Sequence, residues 1–69
     1  MINTIERYTE CGSRAGDARK NRDESRYRFE RDWFNRARAR ESVSDRNIAD
    51  RAFNDAYEEA ARDYSPIRY

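Results

Sequence analysis

The side chains that usually carry catalysis or bind metals are scarce in this 69-residue chain. It contains no His, so it lacks the usual general base near neutral pH and the commonest metal ligand. Its one cysteine, Cys11, can form neither an internal disulfide nor a thiolate zinc site. We expect this thiol to be a small buried or half-buried side chain. The sequence therefore predicts a protein that is not an enzyme and needs no cofactor or metal.

Arginine is the most abundant group that could recognise another molecule, and it makes up fourteen of the fifteen basic residues. Its planar fork binds phosphates and carboxylates and stacks on aromatic rings. Residues 12–40 carry a net charge of +5, whereas residues 41–64 carry −4. One interpretation is intramolecular: a basic helix lies beside an acidic one.

The alternative is that the basic half binds nucleic acid or an acidic protein surface. Its acidic residues interrupt the basic stretch repeatedly, which weakens that hypothesis. The side chains that would contact phosphates are Arg14, Arg19, Lys20, Arg22, Arg26 and Arg28.

Helices must position these side chains, because Gly12, Gly16 and Pro66 are the only helix breakers. No stretch shows the alternation of a strand. We predict an all-α fold that forms one small domain over residues 1–69. Its architecture is expected to be a helical hairpin whose long first helix spans about residues 3–40.

The second helix of the hairpin is predicted over about residues 44–64. Ser44 is a suitable N-cap, and Ser65–Pro66 would end the helix because the residue before proline leaves helical geometry. Apolar residues recur between these points at spacings of three and four, which predicts one buried face. They are Ile48, Ala49, Ala52, Phe53, Ala56, Tyr57, Ala60 and Tyr64.

Gly12 and Gly16 form a small-xxx-small pattern within the long helix. Charged residues surround the pattern, so it does not indicate a membrane helix. Either the helix kinks near residues 12–16, or another helix crosses closely there.

Aromatic side chains cluster upstream of the second helix, at Tyr27, Phe29, Trp33 and Phe34. Their helical spacing predicts the core of the hairpin, although one partner helix need not cover all four. Aromatic and Arg side chains also dominate protein–protein contacts. We therefore predict a partner-binding surface formed by Phe29, Trp33, Arg36 and Arg40.

The chain has no Leu, and its large aliphatic residues are few. Such a small core barely offsets chain entropy, so we expect a homo-oligomer, a homodimer in particular, or an obligate complex. Its interface would combine the Ala-rich face of the last helix with the aromatic cluster. No apolar run is long enough for a membrane span or a signal core, so we expect a cytoplasmic protein without membrane contact.

In length, charge density and helical character the chain is similar to accessory proteins of bacteriophages and plasmids. That resemblance covers composition alone and has no diagnostic motif. It implies a non-catalytic interaction protein that binds and modulates or inhibits a larger protein or complex of a bacterial host. The alternative function is an oligomeric nucleic-acid-binding protein that uses the Arg-rich helix.

Overall fold

The computed structural model describes residues 1–62, and over that range the fold is all-α, as the sequence predicts. Three helices follow one another: α1 (Ile5–Lys20), α2 (Glu24–Ala39) and α3 (Val43–Ala60). The predicted two-helix hairpin is wrong in its number of helices. The segment expected to form one helix over residues 3–40 folds as two.

The break between α1 and α2 lies where no Gly or Pro marks it. Arg22 adopts a left-handed backbone conformation, with φ 59°. The Arg22 N–H donates to the Arg19 carbonyl at 3.1 Å, and the Asp23 N–H donates to the Ala18 carbonyl at 2.8 Å. These two bonds form a Schellman motif, which closes a helix and turns the chain away from its axis.

Asp23 then starts α2 as its N-cap. Its carboxylate accepts a hydrogen bond from the Arg26 N–H at 3.1 Å, which satisfies one of the free N–H groups of the first turn. Helix α1 runs unbroken through Gly12 and Gly16, so the long predicted helix is interrupted after Lys20 and not near residues 12–16.

The N-cap of α3 is Ser42 and not Ser44 as predicted. The hydroxyl of Ser42 accepts a hydrogen bond from the backbone N–H three residues later, at 3.2 Å, and Ser44 lies inside the first turn. The helix ends at Ala60. The predicted end near residue 64 and the Ser65–Pro66 stop lie outside the described residues.

Helices α1 and α3 cross in backbone contact at the two glycines. A Cβ placed on Gly12 would lie 2.3 Å from the Phe53 carbonyl oxygen, and one on Gly16 would lie 2.6 Å from the Tyr57 carbonyl oxygen. Only glycine leaves room for so close an approach. The close helix crossing predicted from the small-xxx-small pattern is confirmed, and it joins two helices of the same chain.

Aromatic rings supply most of the core volume. Tyr8 and Phe53 are the largest fully buried side chains. Phe34 stacks on Phe53 with a centroid distance of 4.2 Å and meets the ring of Tyr8 edge-on at 5.8 Å. Small buried residues fill the space around these rings: Cys11, Ala15, Ala37 and Ala49.

Helix α2 reaches α3 through long side chains. Arg38 makes two hydrogen bonds to the Asp50 carboxylate, at 2.6 and 3.0 Å. Arg46 donates in return to the carbonyls of Arg38 and Ala39 at the end of α2. A basic and an acidic helix therefore do lie side by side, although only one ion pair joins them within residues 1–62. None of the three helices combines the length and hydrophobicity that a membrane crossing requires.

A buried carboxylate, Glu41, ties the loop after α2 to the start of the chain. It accepts hydrogen bonds from the Tyr8 hydroxyl at 2.6 Å and from the N–H groups of Ile2 and Asn3 at 2.8 and 3.0 Å. The hydrogen bond from Tyr8 is the main cause that lowers the pKa of Glu41 below its ordinary value. Burial, together with the same carboxylate, raises the pKa of Tyr8 to about 12.

Candidate functional site

A groove between α1 and α2 brings aromatic and cationic side chains together on the surface. The residues that line it are Arg7, Cys11, Arg14, Phe29, Glu30 and Trp33. Helix α1 contributes the first three and α2 the last three.

The aromatic wall of this groove differs from the core aromatics in its exposure. Trp33 is half-buried, and its ring packs against Tyr8 at 5.8 Å. Phe29 lies one turn earlier and is 64% exposed. At about 100° of turn per residue, Phe29 points roughly 140° away from Phe34, which faces the core. Of the four clustered aromatic residues, Phe34 is buried in the core and Tyr27 and Trp33 pack partly buried against it. Phe29 is the one that no partner helix covers.

The opposite wall carries two guanidinium groups. The Arg7 guanidinium lies over the Trp33 ring, 5.4 Å from its centroid, an arrangement in which the ring face attracts the cation. Arg14 lies 3.7 Å from the Glu10 carboxylate. Both members of that pair are more than half exposed, so water screens it and Arg14 remains accessible to another anion.

Two buried residues, Cys11 and Glu30, form the floor of the groove. The Cys11 thiol donates a hydrogen bond to the Glu30 carbonyl at 3.2 Å, and burial raises its pKa to about 12. A thiol that stays protonated is a poor nucleophile. The Glu30 side chain is buried as well, and its carboxylate accepts from Arg26 at 3.4 Å. At neutral pH the groove therefore presents no thiolate nucleophile.

The predicted partner-binding residues lie along one side of α2, but only two of the four line the groove. Phe29 and Trp33 line the groove. Arg36 and Arg40 are exposed farther along the chain and do not line the groove. Arg7 was not predicted from the sequence. It could have been found from its spacing of seven residues from Arg14, because that spacing places both side chains on one face of α1.

The predicted nucleic-acid-binding residues do not form one stripe. A helix turns by about 100° per residue, so Arg19 points roughly 140° away from Arg14 around the axis of α1. Lys20 points about 100° away from Arg19 in the same sense. The Arg19 Nε donates to the Tyr57 hydroxyl at 3.2 Å, and its guanidinium lies 4.2 Å from the centroid of the Tyr27 ring. Arg19 thus joins three helices and is not directed at a ligand.

The rest of that set is dispersed around the first interhelical turn. Arg22 lies in the turn itself, Arg26 bonds to Glu30, and Lys20 and Arg28 are exposed on different helices. A pocket at the turn between α1 and α2 brings Arg19 and Arg22 together, but Asp23 and Glu24 line it as well. Lys20, Arg26 and Arg28 lie outside its lining.

Within residues 1–62, no three His, Cys, Asp or Glu side chains are arranged to hold a metal ion. No protein-family model, curated protein or solved structure matches the chain. The side chains that line the groove between α1 and α2 are therefore the basis for assigning a function.

Proposed function

We propose that this protein is a non-catalytic binding module, and that the groove between α1 and α2 holds a segment of a larger protein. The observation that carries the proposal is the exposure of Phe29, at 64%, beside a half-buried Trp33. A large exposed aromatic next to another aromatic, with Arg at its margin, has the composition of residues that dominate protein–protein binding energy.

The charge of the groove indicates what the segment carries. Arg7 and Arg14 line one wall, whereas the one acidic residue of the lining, Glu30, is buried against Arg26. The segment that fits has an apolar side chain to cover Phe29 and carboxylates to meet the two guanidinium groups. The proposal therefore specifies an acidic segment with an apolar anchor.

The same proposal includes the effect on the partner. The protein would act as a phage or plasmid protein that modulates or inhibits its partner in a bacterial host. Small size supports this part: a chain of 69 residues can occupy a surface of a larger assembly without supplying chemistry of its own.

Capture from a bacterial lysate with quantitative mass spectrometry tests the groove. Phe29→Ala should remove the partner, because truncating an interface anchor costs about 2 kcal/mol or more, roughly a thirtyfold loss of affinity. Arg14→Glu should remove it as well. The matched control is Val43→Ala, since Val43 is 74% exposed and lies outside the groove. Equal capture by wild type, Phe29→Ala and Arg14→Glu would refute the proposal.

The same experiment distinguishes the nucleic-acid alternative. A phosphate-binding protein should retain nucleic acid in the captured fraction and lose it after Lys20→Glu, with a shallower dependence on salt. Phe29→Ala should then have little effect. That pattern would replace the proposed protein partner with DNA or RNA.

A further inference from the structure

The groove between α1 and α2 carries a cation at each end. At one end, the Arg7 guanidinium lies 5.4 Å from the centroid of the Trp33 ring. Arg14 follows Arg7 by seven residues on α1. The two side chains therefore point within about 20° of each other and start about 10.5 Å apart along the helix axis. Both are exposed, so one ligand can contact both.

Phe29 lies between the two cations. The Cys11 thiol meets the Glu30 carbonyl at 3.2 Å. Together with the contact of Arg7 on Trp33, this shows that α2 runs antiparallel to α1. Phe29 precedes Trp33 by one helical turn, so it lies about 6 Å from the level of Arg7, toward the other cation. The groove thus presents a cation, an exposed aromatic ring and a second cation along one line.

We propose, building on the proposed function, that the segment held in this groove is an α-helix with two carboxylates seven residues apart and an apolar side chain between them. A partner helix has the same rise per residue as α1, so carboxylates at that spacing match both guanidinium groups. An apolar residue four positions after the first carboxylate, and three before the second, lies on the same face and covers Phe29. Helices that dock in grooves are recognised through anchors at these spacings.

An extended segment fits the groove less well. Both walls are helices, which bond their own N–H and C=O groups, so they offer no edge to which a strand could add. A docked helix needs no such edge because its backbone groups are paired internally. Residues on one face of a strand lie about 6.8 or about 13.6 Å apart, and each value misses the 10.5 Å of α1 by about 3 Å or more.

Titration with synthetic peptides, followed by tryptophan fluorescence, tests the helix. Trp33 is the one tryptophan of the chain and lines the groove, so its emission reports binding without a label. The probe is a peptide of about 20 residues, rich in alanine and glutamine, which is long enough to form a helix in water. It carries two glutamates seven residues apart and a leucine four residues after the first. This peptide should shift the emission of Trp33 until the groove is saturated.

Two peptides of nearly the same composition are the controls. In one, the second glutamate is moved on by one position, which turns its carboxylate about 100° around the helix. This peptide should bind about tenfold more weakly, because one charge-assisted hydrogen bond is lost. In the other, a proline beside the leucine prevents the helix from forming, and binding should be lost.

Two charge reversals in the protein complete the test, after far-UV circular dichroism has shown that both variants are folded. Arg14→Glu should weaken binding of the probe peptide at least tenfold. Arg51→Glu is the matched control, because Arg51 is exposed on α3 outside the groove, and it should leave the affinity unchanged.

Four results would each overturn the helical partner: no shift of Trp33 emission with the probe peptide, equal affinity for the peptide with the displaced glutamate, equal affinity for the proline peptide, or unchanged affinity of Arg14→Glu. The proposed function fails on a different observation, namely capture from lysate that is indifferent to Phe29→Ala and Arg14→Glu. Loss of capture in those variants, together with tight binding of the proline peptide, would keep the groove as a binding site and replace the helix with an extended segment.

Discussion

Replacing the glycines of α1 with alanine tests the helix crossing on which the fold depends. In an isolated helix, Gly→Ala is stabilising by about 1 kcal/mol, because alanine loses less conformational entropy. The structure predicts the opposite sign here. Both glycines are packed against the backbone of α3, and a main-chain oxygen cannot rotate out of the way as a side chain can.

The geometry sets the size of the effect. The Cβ of Gly12→Ala would lie 2.3 Å from the Phe53 oxygen, whereas ordinary contact begins at 3.4 Å. Helix α3 must retreat by about 1 Å, and a gap of that size forfeits a quarter to a half of the dispersion energy of nearby contacts. Overpacking of this kind costs about 1–3 kcal/mol, which exceeds the propensity gain.

Urea unfolding followed by far-UV circular dichroism measures the result. We expect Gly12→Ala and Gly16→Ala each to lower the free energy of unfolding by up to about 2 kcal/mol, which is the overpacking cost less the propensity gain. A domain of this size has roughly 3–10 kcal/mol in total, so the double variant should unfold at a clearly lower urea concentration than wild type. Ser13→Ala, between the two glycines, is the control and should change stability little. Stabilisation by Gly12→Ala would refute the backbone contact between α1 and α3.

Three further predictions follow from single residues. Arg22→Gly should be more stable than Arg22→Ala by about 0.5–1 kcal/mol in urea unfolding, because both lack the Arg side chain but only glycine adopts φ 59° without strain. The Tyr8 hydroxyl is the main cause that lowers the pKa of Glu41. The ionised carboxylate therefore adds to the free energy of unfolding above the ordinary Glu pKa, and this contribution is lost as pH falls through the lower pKa of Glu41 in the folded protein. The stability gap between wild type and Glu41→Gln should therefore narrow in acid, and a constant gap would contradict the contact. Burial raises the pKa of Cys11 from 9.0 to about 12, so the free energy of unfolding should decline as pH rises from 9 to 12. At neutral pH, thiol reagents should modify the buried Cys11 only as fast as the protein unfolds.

The all-α class was predictable because it depends on a property of the whole chain, the scarcity of helix breakers. The burial of Cys11 was predictable for a similar reason, since a single small apolar group in a charged chain belongs in the core. The exposure of Phe29 could be predicted only in part from helical periodicity. Its angle from Phe34 is fixed by sequence, but which of the two faces the core depends on the path of α1.

The interhelical turn at Arg22 was missed because its signals are individually common. Basic residues at the end of α1, followed by Asp23 and Glu24, agree with the charge preferences of a helix end and a helix start. A non-glycine residue in the left-handed region is nevertheless uncommon, and nothing in the residue type of Arg22 indicates it. Tertiary packing of α2 against α1 supplies the energy that holds the turn.

The glycine contacts of α1 with α3 also bear on how the protein folds. The closest packing joins the first and last helices, so it forms only after the chain has reversed direction twice and enclosed all of α2. Closing so long a loop costs entropy before the contact repays it, and non-local topology slows folding among proteins of equal stability. A circular permutant that joins residue 69 to residue 1 and opens the chain between α2 and α3 would shorten the separation of Gly12 and Phe53 from 41 to 28 residues. Such a chain should reach the native state faster than the natural order of helices.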